Sequence, residues 1–229
     1  MFDYTTMANV AAERGRRYAV LATLYSAPPT AELVESLQAE PLQMGPGNEA
    51  AKLVTDEMKS FYEEISAIDN KENELTAEYT RLFVLPSGVH PVESFYLDEK
   101  QRVGGKISVM VQTAYRNAGI QLTKDCLELP DHIGVELECL NFLCFIEEQL
   151  WRAQNIDGLR QNLKHQHDLL VSHLLRWYQP FCARVIKESR SGLYRALAYL
   201  TLDLLQTEGE FVPGLVEQLE TEGRVSCEC

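Results

Sequence analysis

An acid and an imidazole stand side by side at Asp131 and His132, directly after Pro130 and before an apolar helical pattern that starts at Ile133. Together they could move a proton in an enzyme, for instance a nucleotide hydrolase. An adjacent acid and imidazole are not by themselves a catalytic pair, however. An acid in the first turn of a helix also complements the helix dipole, and an imidazole there can cap the helix or face solvent. The residue types therefore leave a catalytic and a structural interpretation open.

A second segment ends a helix in large apolar groups and continues into a loop that contains proline and glycine. The helix end carries Tyr79, Leu82 and Phe83. The loop and the residues after it present two prolines, a carboxylate and two aromatic rings, at Pro86, Pro91, Glu93, Phe95 and Tyr96. Core packing is the ordinary explanation for such aromatic residues. The two segments together are nevertheless unusual for a purely structural helical protein, because both gather chemically active groups at a loop-to-helix junction.

The standard motifs of nucleotide-binding and hydrolytic enzymes are absent from the sequence. It contains no Walker-type phosphate loop, no glycine fingerprint after a strand, no HExxH and no GxSxG. Gly104-Gly105-Lys106 lacks the upstream glycine spacing of a phosphate loop and the Ser/Thr that follows its lysine. We therefore expect this segment to be a turn that starts a helix, and we predict no catalytic residue and no cofactor.

The spacing of histidines and cysteines does not predict a metal site. His165 and His167 point to different faces of a helix, and His165 and His173 stand about 12 Å apart along one. A solvated helix face is the better interpretation of these histidines. Cys227 and Cys229 could bind a soft metal, but no histidine or second cysteine pair lies nearby, so we expect a disordered tail.

The charge balance restricts the classes of partner. The sequence has 21 Lys and Arg against 34 Asp and Glu, a net charge of −13. Such acidity argues against nucleic acid and against stable membrane association, and it could attract a basic partner. Arg14, Arg16 and Arg17 precede an apolar stretch, as in an export signal, but the large apolar residues there fall at helical spacing. We therefore expect an ordinary helix and a cytoplasmic protein with reduced cysteines.

Helical periodicity recurs along the chain, and strand signals are nearly absent, so we predict one all-α globular domain of roughly nine or ten helices. The predicted helices cover 6–26, a stretch from Thr30, a stretch capped by Asn48, 73–84, 107–118 closed by Gly119, 130–154, a stretch after Gly158 that carries Leu163 to Trp177, 181–187 after Pro180, a stretch from residue 191 or 192, and a short one after Pro213. Within this single domain we expect N-terminal helices over 1–84, a Pro/Gly loop over 85–104, C-terminal helices over 105–220 and a flexible tail over 221–229.

Taken together, the two segments resemble the signature of the TorD/DmsD/NarJ family, and the TorD/DmsD branch most closely. That signature is a Tyr-x-x-Leu-Phe helix end, a proline-rich loop with Glu-Ser-x-Tyr, and Pro-Asp-His-Ile-x-x-Glu-Leu. The chain carries these motifs at 79–83, 91–96 and 130–137. Length, helical content and motif order also match, so the resemblance spans most of the chain. Leu85-Pro86-Ser87-Gly88 stands where many members have a Gly-Pro-Gly-type turn.

The resemblance implies a TorD-like helical fold and a cytoplasmic chaperone of molybdoenzymes, also called a redox enzyme maturation protein, without enzymatic activity. Such chaperones serve anaerobic respiration and bind the twin-arginine leader and the apo form of a catalytic subunit. They hold this subunit back from export until the molybdopterin cofactor is inserted. The leader is an Arg-Arg pair followed by an apolar run, so its receptor needs an apolar groove with carboxylates near one end.

The resemblance implies ten leader-binding residues in this chain. Five would line the apolar groove: Leu82, Phe83, Pro91, Phe95 and Tyr96. The carboxylates would be Glu93, Asp131 and Glu136, and Tyr79 and His132 complete the set. Glu93 and Glu136 can instead make internal hydrogen bonds. Two other functions stay open, a nucleotide-binding enzyme that takes guanine nucleotides and a helical adaptor without leader specificity. The identity of the client and the formation of a homo-oligomer also stay open.

Overall fold

The structure, a computed structural model, describes residues 2–39, 49–66 and 68–225, and over these ranges it is all-α with no strand. Its helices are α1 (Tyr4–Ser26), α2 (Ala31–Ala39), α3 (Glu49–Ser66), α4 (Lys71–Tyr79), α5 (Glu93–Leu97), α6 (Gly105–Asn117), α7 (Ile133–Arg152), α8 (Ile156–Ser172), α9 (Tyr178–Glu188) and α10 (Gly192–Val225). A π-helical turn, Thr80–Val84, extends α4, and a 3-10 turn, Leu174–Arg176, follows α8. The all-α prediction is confirmed. The predicted Asn48 cap and the Cys227/Cys229 pair lie outside the described residues.

Two predicted helix boundaries are confirmed by the hydrogen bonds of their capping residues. The Thr30 hydroxyl accepts a hydrogen bond from the Leu33 amide at 3.2 Å, which makes Thr30 the N-cap of α2. After α6, Gly119 adopts a φ of +75°. Its amide donates to the carbonyl of Arg116 at 3.0 Å and so satisfies an open carbonyl of the last turn.

Three more helices begin at polar caps, Asn70 before α4, His132 before α7 and Asn155 before α8, of which only the cap at His132 was considered from the sequence. Each of these side chains accepts a hydrogen bond from an amide of the first turn, which satisfies one of the open donors there. The predicted start of α7 at Pro130 is therefore wrong, because the cap sets the start at Ile133. The predicted 85–104 loop is also interrupted, since α5 lies within it.

Two prolines expected to end helices lie inside them. Pro180 is the third residue of α9, where the first turn has no intrahelical acceptor for an amide. Pro213 lies within α10, which continues to Val225. The buried side chains of Val212 and Leu215 anchor the helix next to this proline and offset its cost of roughly 3 kcal/mol. The separate short helix predicted after Pro213 is therefore wrong, because α10 is continuous through this proline. The flexible tail over 221–229 stays a prediction, and its residues 226–229 lie outside the described residues.

The chain divides into two compact units, each built from separate stretches. The first unit comprises Met1–Ala22, Val92–Trp177 and Leu205–Cys229, and the second comprises Thr23–Pro91 and Tyr178–Leu204. An apolar cluster forms the core of the first unit and includes Ala8, Ala11, Trp151, Leu159, Leu163, Leu215 and Leu219. A group of aromatic rings lies in the core of the second unit and includes Tyr25, Tyr79, Phe83, Phe181 and Tyr194.

A buried ion network joins four helices of the first unit through Arg14 of α1. The guanidinium donates to Glu147 of α7 at 2.6 Å and to Glu208 of α10 at 2.7 Å. It also donates to the side-chain oxygen of Gln166 of α8 at 2.7 Å. The indole of Trp151 donates to Glu147 at 3.0 Å. Because Arg14 and both carboxylates are buried, these hydrogen bonds replace the water that the charges lost on folding.

Replacing Arg14 with leucine should lower the free energy of unfolding by about 3–5 kcal/mol, because Glu147 and Glu208 would remain buried without a cation. Urea denaturation measures this loss. Arg16→Leu is the matched control, since Arg16 pairs with Glu13 on the exposed side of α1. Its free energy of unfolding should change by less than about 0.5 kcal/mol. Equal losses in the two variants would contradict a central role for Arg14.

Candidate functional site

The residues that the sequence analysis assigned to leader binding are divided between the two units. The second unit contains Tyr79, Leu82, Phe83 and Pro91. The first unit contains Glu93, Phe95, Tyr96, Asp131, His132 and Glu136. Phe95 and Tyr96 are half-buried, and the remaining members of both groups are buried.

In the second unit, the Tyr-x-x-Leu-Phe motif forms the junction between α4 and the π-helical turn. The Tyr79 hydroxyl donates to a backbone carbonyl near the end of α1 at 3.1 Å, and the Tyr79 and Phe83 ring centroids lie 5.6 Å apart. Leu82 is completely buried. These three side chains therefore pack in the core of their unit. The exposed apolar side chains beside the motif are Val84 and Leu85, which the sequence analysis did not single out.

The loop that follows the motif folds back onto the π-helical turn. The Val89 amide donates to the carbonyl oxygen of Leu82 at 2.7 Å. A β-carbon on Gly88 would lie 2.4 Å from the same oxygen, so only glycine fits this close approach. The Leu85-Pro86-Ser87-Gly88 sequence thus forms a tight loop although it departs from the Gly-Pro-Gly-type turn of the family.

In the first unit, the structure brings the second and third motif segments together through Asp131. The Oδ2 atom of Asp131 accepts the amide of Ser94 at 2.9 Å, and its main-chain oxygen accepts the amide of Glu93 at 2.9 Å. An isolated antiparallel bridge pairs Val92 with His132 next to these contacts. Asp131 therefore anchors the start of α5 to the start of α7 and is completely buried between them.

His132 is the N-cap of α7, which confirms one of the structural roles expected for it. Its Nδ1 atom accepts the amide of Gly134 at 3.1 Å, so Nδ1 carries no proton in this arrangement. The Nε2 atom lies 4.0 Å from Oε2 of Glu128, whose side chain is half exposed. Burial lowers the pKa of the imidazole, and the charges of Glu128 and Asp131 oppose this shift. The imidazole is therefore held neutral as a cap.

His173 is a buried partner of Glu93, and the expectation that it would lie on a solvated helix face is wrong. Its Nδ1 atom lies 3.0 Å from Oε2 of Glu93, and both side chains are buried. The physical reason is that α8 ends at Ser172 and a 3-10 turn follows, so helical periodicity no longer places this residue. No spacing in the sequence indicated the contact, because the two residues lie 80 positions apart.

Glu136 is an acid without solvent contact in the first turn of α7. Burial raises the pKa of this carboxyl well above its usual range, and the charges of Glu93 and Asp131 raise it further. A hydrogen bond from the indole of Trp177 opposes the shift. The dominant effect is burial, which disfavours the charged form of this carboxyl.

An exposed strip lies directly before the Pro-Asp-His-Ile motif. Leu127 is 94% exposed and Leu129 is 36% exposed, and they flank Glu128. Two apolar side chains around a solvent-facing carboxylate form an amphipathic surface. The sequence did not reveal this surface, because three residues in a loop have no periodicity from which exposure can be inferred.

The Gly104-Gly105-Lys106 segment is a turn that starts α6, as expected. Gly104 and Gly105 have φ values of +81° and +71°. The Gly104 amide donates to the hydroxyl of Ser94 at 2.7 Å, so it is already engaged within the protein. Among the described residues, no group of three or more His, Cys, Asp or Glu side chains is arranged to hold a metal ion.

None of the helices in the described ranges has both the length and the apolar character that crossing a bilayer requires.

Comparison with known proteins places the motif segments in a family. A family model described as "Nitrate reductase delta subunit" matches residues 48–183, which include all three motifs. The chain belongs to this family. The nitrate reductase delta subunit family also includes the NarJ and TorD proteins, so the resemblance drawn from the motifs is confirmed.

Several relatives within this family carry the name Chaperone protein TorD. The chain is 25% identical to that of Vibrio cholerae serotype O1 over 167 residues, which are 71% of this chain and 74% of the relative. It is 24% identical to that of Aliivibrio fischeri over 208 residues, 88% of this chain and 95% of the relative. It is 29% identical to that of Escherichia coli O6:H1 over 143 residues, 61% of this chain and 64% of the relative.

Glu136→Gln should stabilise the protein increasingly as the pH rises. In the wild type, folded Glu136 keeps a proton that the unfolded chain loses above its ordinary pKa of 4.5, so its contribution to stability falls as pH rises. Glutamine has the same shape and does not titrate. The stability difference should grow by up to about 1.4 kcal/mol per pH unit above this value. Thermal unfolding between pH 5 and pH 8 measures the trend.

Glu138→Gln is the matched control for this experiment, because Glu138 lies on the exposed side of α7. His132 titrates in the opposite direction, since its lowered pKa makes stability rise with pH up to about 6.5. Both variants retain His132, so its contribution cancels in the comparison. A stability difference for Glu136→Gln that does not change with pH would contradict a protonated Glu136.

Proposed function

We propose that this protein is a cytoplasmic, non-enzymatic chaperone dedicated to one molybdopterin-dependent oxidoreductase. It binds the twin-arginine leader and the apo form of the catalytic subunit, and it delays export until the cofactor is inserted. The observation that carries the proposal is the junction at Asp131, where two family motif segments meet in a chain whose relatives are named Chaperone protein TorD.

The first unit presents the two kinds of surface that a leader requires. Glu128 is a half-exposed carboxylate that can attract an arginine, and Leu127 and Leu129 beside it can contact the apolar run. Phe95 and Tyr96 add partly exposed aromatic surface, with their ring centroids 5.3 Å apart. The net charge of −13 would speed association with a basic leader and make it sensitive to salt.

The residues carried over from the family signature act in this proposal chiefly as anchors. Asp131 and His132 hold the start of α7 and keep Glu128 and its neighbours in place. Tyr79, Leu82 and Phe83 do the same for Val84 and Leu85 in the second unit. A leader in contact with either surface would therefore depend on the buried motif without touching most of it.

Affinity capture from the native host tests the function. Tagged protein is purified from cells grown anaerobically, and co-purifying proteins are identified by mass spectrometry. We expect one molybdopterin oxidoreductase catalytic subunit with its leader uncleaved. Recovery of no such subunit, in cells shown to express these enzymes, would contradict the proposal. Capture that survives replacement of both leader arginines by glutamine would favour an adaptor without leader specificity.

Glu128→Gln should weaken binding of the captured subunit's synthetic leader by about two- to fivefold, because an exposed charge pair contributes up to about 1 kcal/mol. The protein's melting temperature should not change, since Glu128 is half exposed. Fluorescence anisotropy of a labelled leader measures the dissociation constant. Glu99→Gln removes another exposed carboxylate of the first unit and should leave affinity unchanged. Equal affinities for both variants and the wild type would remove Glu128 from the site.

A further inference from the structure

The second unit contains an apolar cavity of about 470 Å³ whose lining comes from α1, α2, α3 and α10. Its volume lies within the range of roughly 300–1,000 Å³ that small-molecule sites occupy. Well-packed interiors leave few voids larger than a water molecule, so a cavity of this size is a candidate ligand site. None of its lining residues belongs to the leader-binding set. The buried part of the lining is aliphatic and consists of Leu24, Leu37, Val54, Leu193 and Leu197.

Two walls of the cavity are fixed by a close contact between α3 and α10. A β-carbon on Gly192 would lie 2.2 Å from the carbonyl oxygen of Glu57, so only glycine lets the two helices approach this closely. Beside this contact, Nε of Arg195 donates to Oε2 of Glu57 at 2.7 Å. Leu193, Leu197 and Leu200 then line the cavity from one face of α10 at helical spacing.

The mouth of the cavity is polar and is formed by α3. The exposed lining residues are Thr55, Lys59, Glu63 and Ser66, which follow one another at about one-turn spacing. The hydroxyls of Thr55 and Ser66 donate to backbone carbonyls of their own helix. Within the described ranges, neither Lys59 nor Glu63 forms an ion pair. Two opposite charges therefore stand at the mouth without a partner from the protein.

The lining also contains a shielded polar atom, the hydroxyl oxygen of Tyr62. It is closed off from solvent and has no hydrogen-bond partner among the described residues, which is unfavourable for a buried hydroxyl. Burial raises the pKa of Tyr62, so the hydroxyl keeps its proton at neutral pH and can donate it in a hydrogen bond. Lys59, three positions earlier, lies on the same side of α3, whereas Glu63 is rotated from Tyr62 by about 100°.

A carboxylate with a long aliphatic chain matches these groups. The chain would replace water against the leucine side chains, which is favourable in proportion to the apolar surface buried. The carboxylate would accept a hydrogen bond from the Tyr62 hydroxyl and take the Lys59 ammonium group as its counter-ion. Glu63 opposes an anion at the mouth, so the sign of its effect on affinity distinguishes an anionic ligand from a cationic one.

We propose that this cavity binds a fatty acid, with the chain among Leu193, Leu197 and Leu200 and the carboxylate between Tyr62 and Lys59. The site lies within the second unit, and the proposal does not depend on the chaperone function. Failure of either proposal would leave the other standing.

Titration calorimetry with octanoate, decanoate and dodecanoate, each below its micelle concentration, tests the site. Affinity should rise by about fourfold for each added methylene until the chain fills the cavity. Dodecyltrimethylammonium has the same chain with the opposite charge, and we expect it to bind at least about tenfold more weakly than dodecanoate. Equal or tighter binding of the cationic probe would overturn the assignment of a carboxylate, and no binding of dodecanoate would overturn the site.

Three variants test the groups that would hold the carboxylate. Tyr62→Phe should weaken dodecanoate binding about tenfold, because a hydrogen bond to a charged group is lost. Lys59→Gln should weaken it about two- to fivefold, and Glu63→Gln should strengthen it by a similar factor. Lys71→Gln is the matched control, since Lys71 is an exposed cation of the same unit outside the lining. Equal affinities in all four variants would contradict recognition of the carboxylate.

The methionine methyl groups locate the bound chain without any substitution in the site. Met58 lines the cavity, whereas Met7 packs against the core of the first unit. In protein labelled with ¹³C at the methionine methyl groups, dodecanoate should shift the Met58 signal and leave that of Met7 in place. Met58→Leu assigns the signal. Dodecanoate binding that leaves the Met58 signal unchanged would place the fatty acid elsewhere and overturn the proposal.

Discussion

The arrangement of the first unit depends on the match between one buried cation and its carboxylates. Taking the Arg14 guanidinium out of water costs several kcal/mol, and that cost is recovered only if every donor finds an acceptor. Glu147, Glu208 and Gln166 provide those acceptors from three different helices. The network thereby selects one arrangement of α1, α7, α8 and α10. It also positions α7, whose first turn follows Asp131 and His132.

Two glutamates on α7 show how the same side chain takes opposite roles. Glu147 forms an ion pair with Arg14 and accepts a hydrogen bond from the indole N–H of Trp151. These two contacts offset the cost of burying its charge. Glu136, in the first turn of the same helix, faces Glu93 and Asp131. Burial without a cation disfavours the charged form and raises the pKa of Glu136. The two ends of one helix thus place the same residue type in opposite electrostatic environments.

The family motifs mark anchors more than contact surfaces. Leu82 and Asp131 are completely buried and hold loops through backbone hydrogen bonds. The side chains that meet solvent are their neighbours in sequence, Leu85 in the second unit and Leu127 in the first. A loop can present such side chains in a defined geometry only if its ends are fixed, and the buried motif residues fix them. A leader that binds these exposed side chains would then depend on the buried motif residues for the geometry of the surface.

The sequence by itself determined the fold class, the family and several element boundaries, because these depend on local periodicity, capping chemistry and residue order. Thr30 and Gly119 are examples, since each acts on amides or carbonyls within a few residues of itself. Only the tertiary structure decided that Asp131 joins Ser94, that His173 pairs with Glu93, and that Glu136 is buried. The physical reason is that the burial of an ionisable group, and the partner it finds there, depend on segments distant in the chain, which a local pattern does not record.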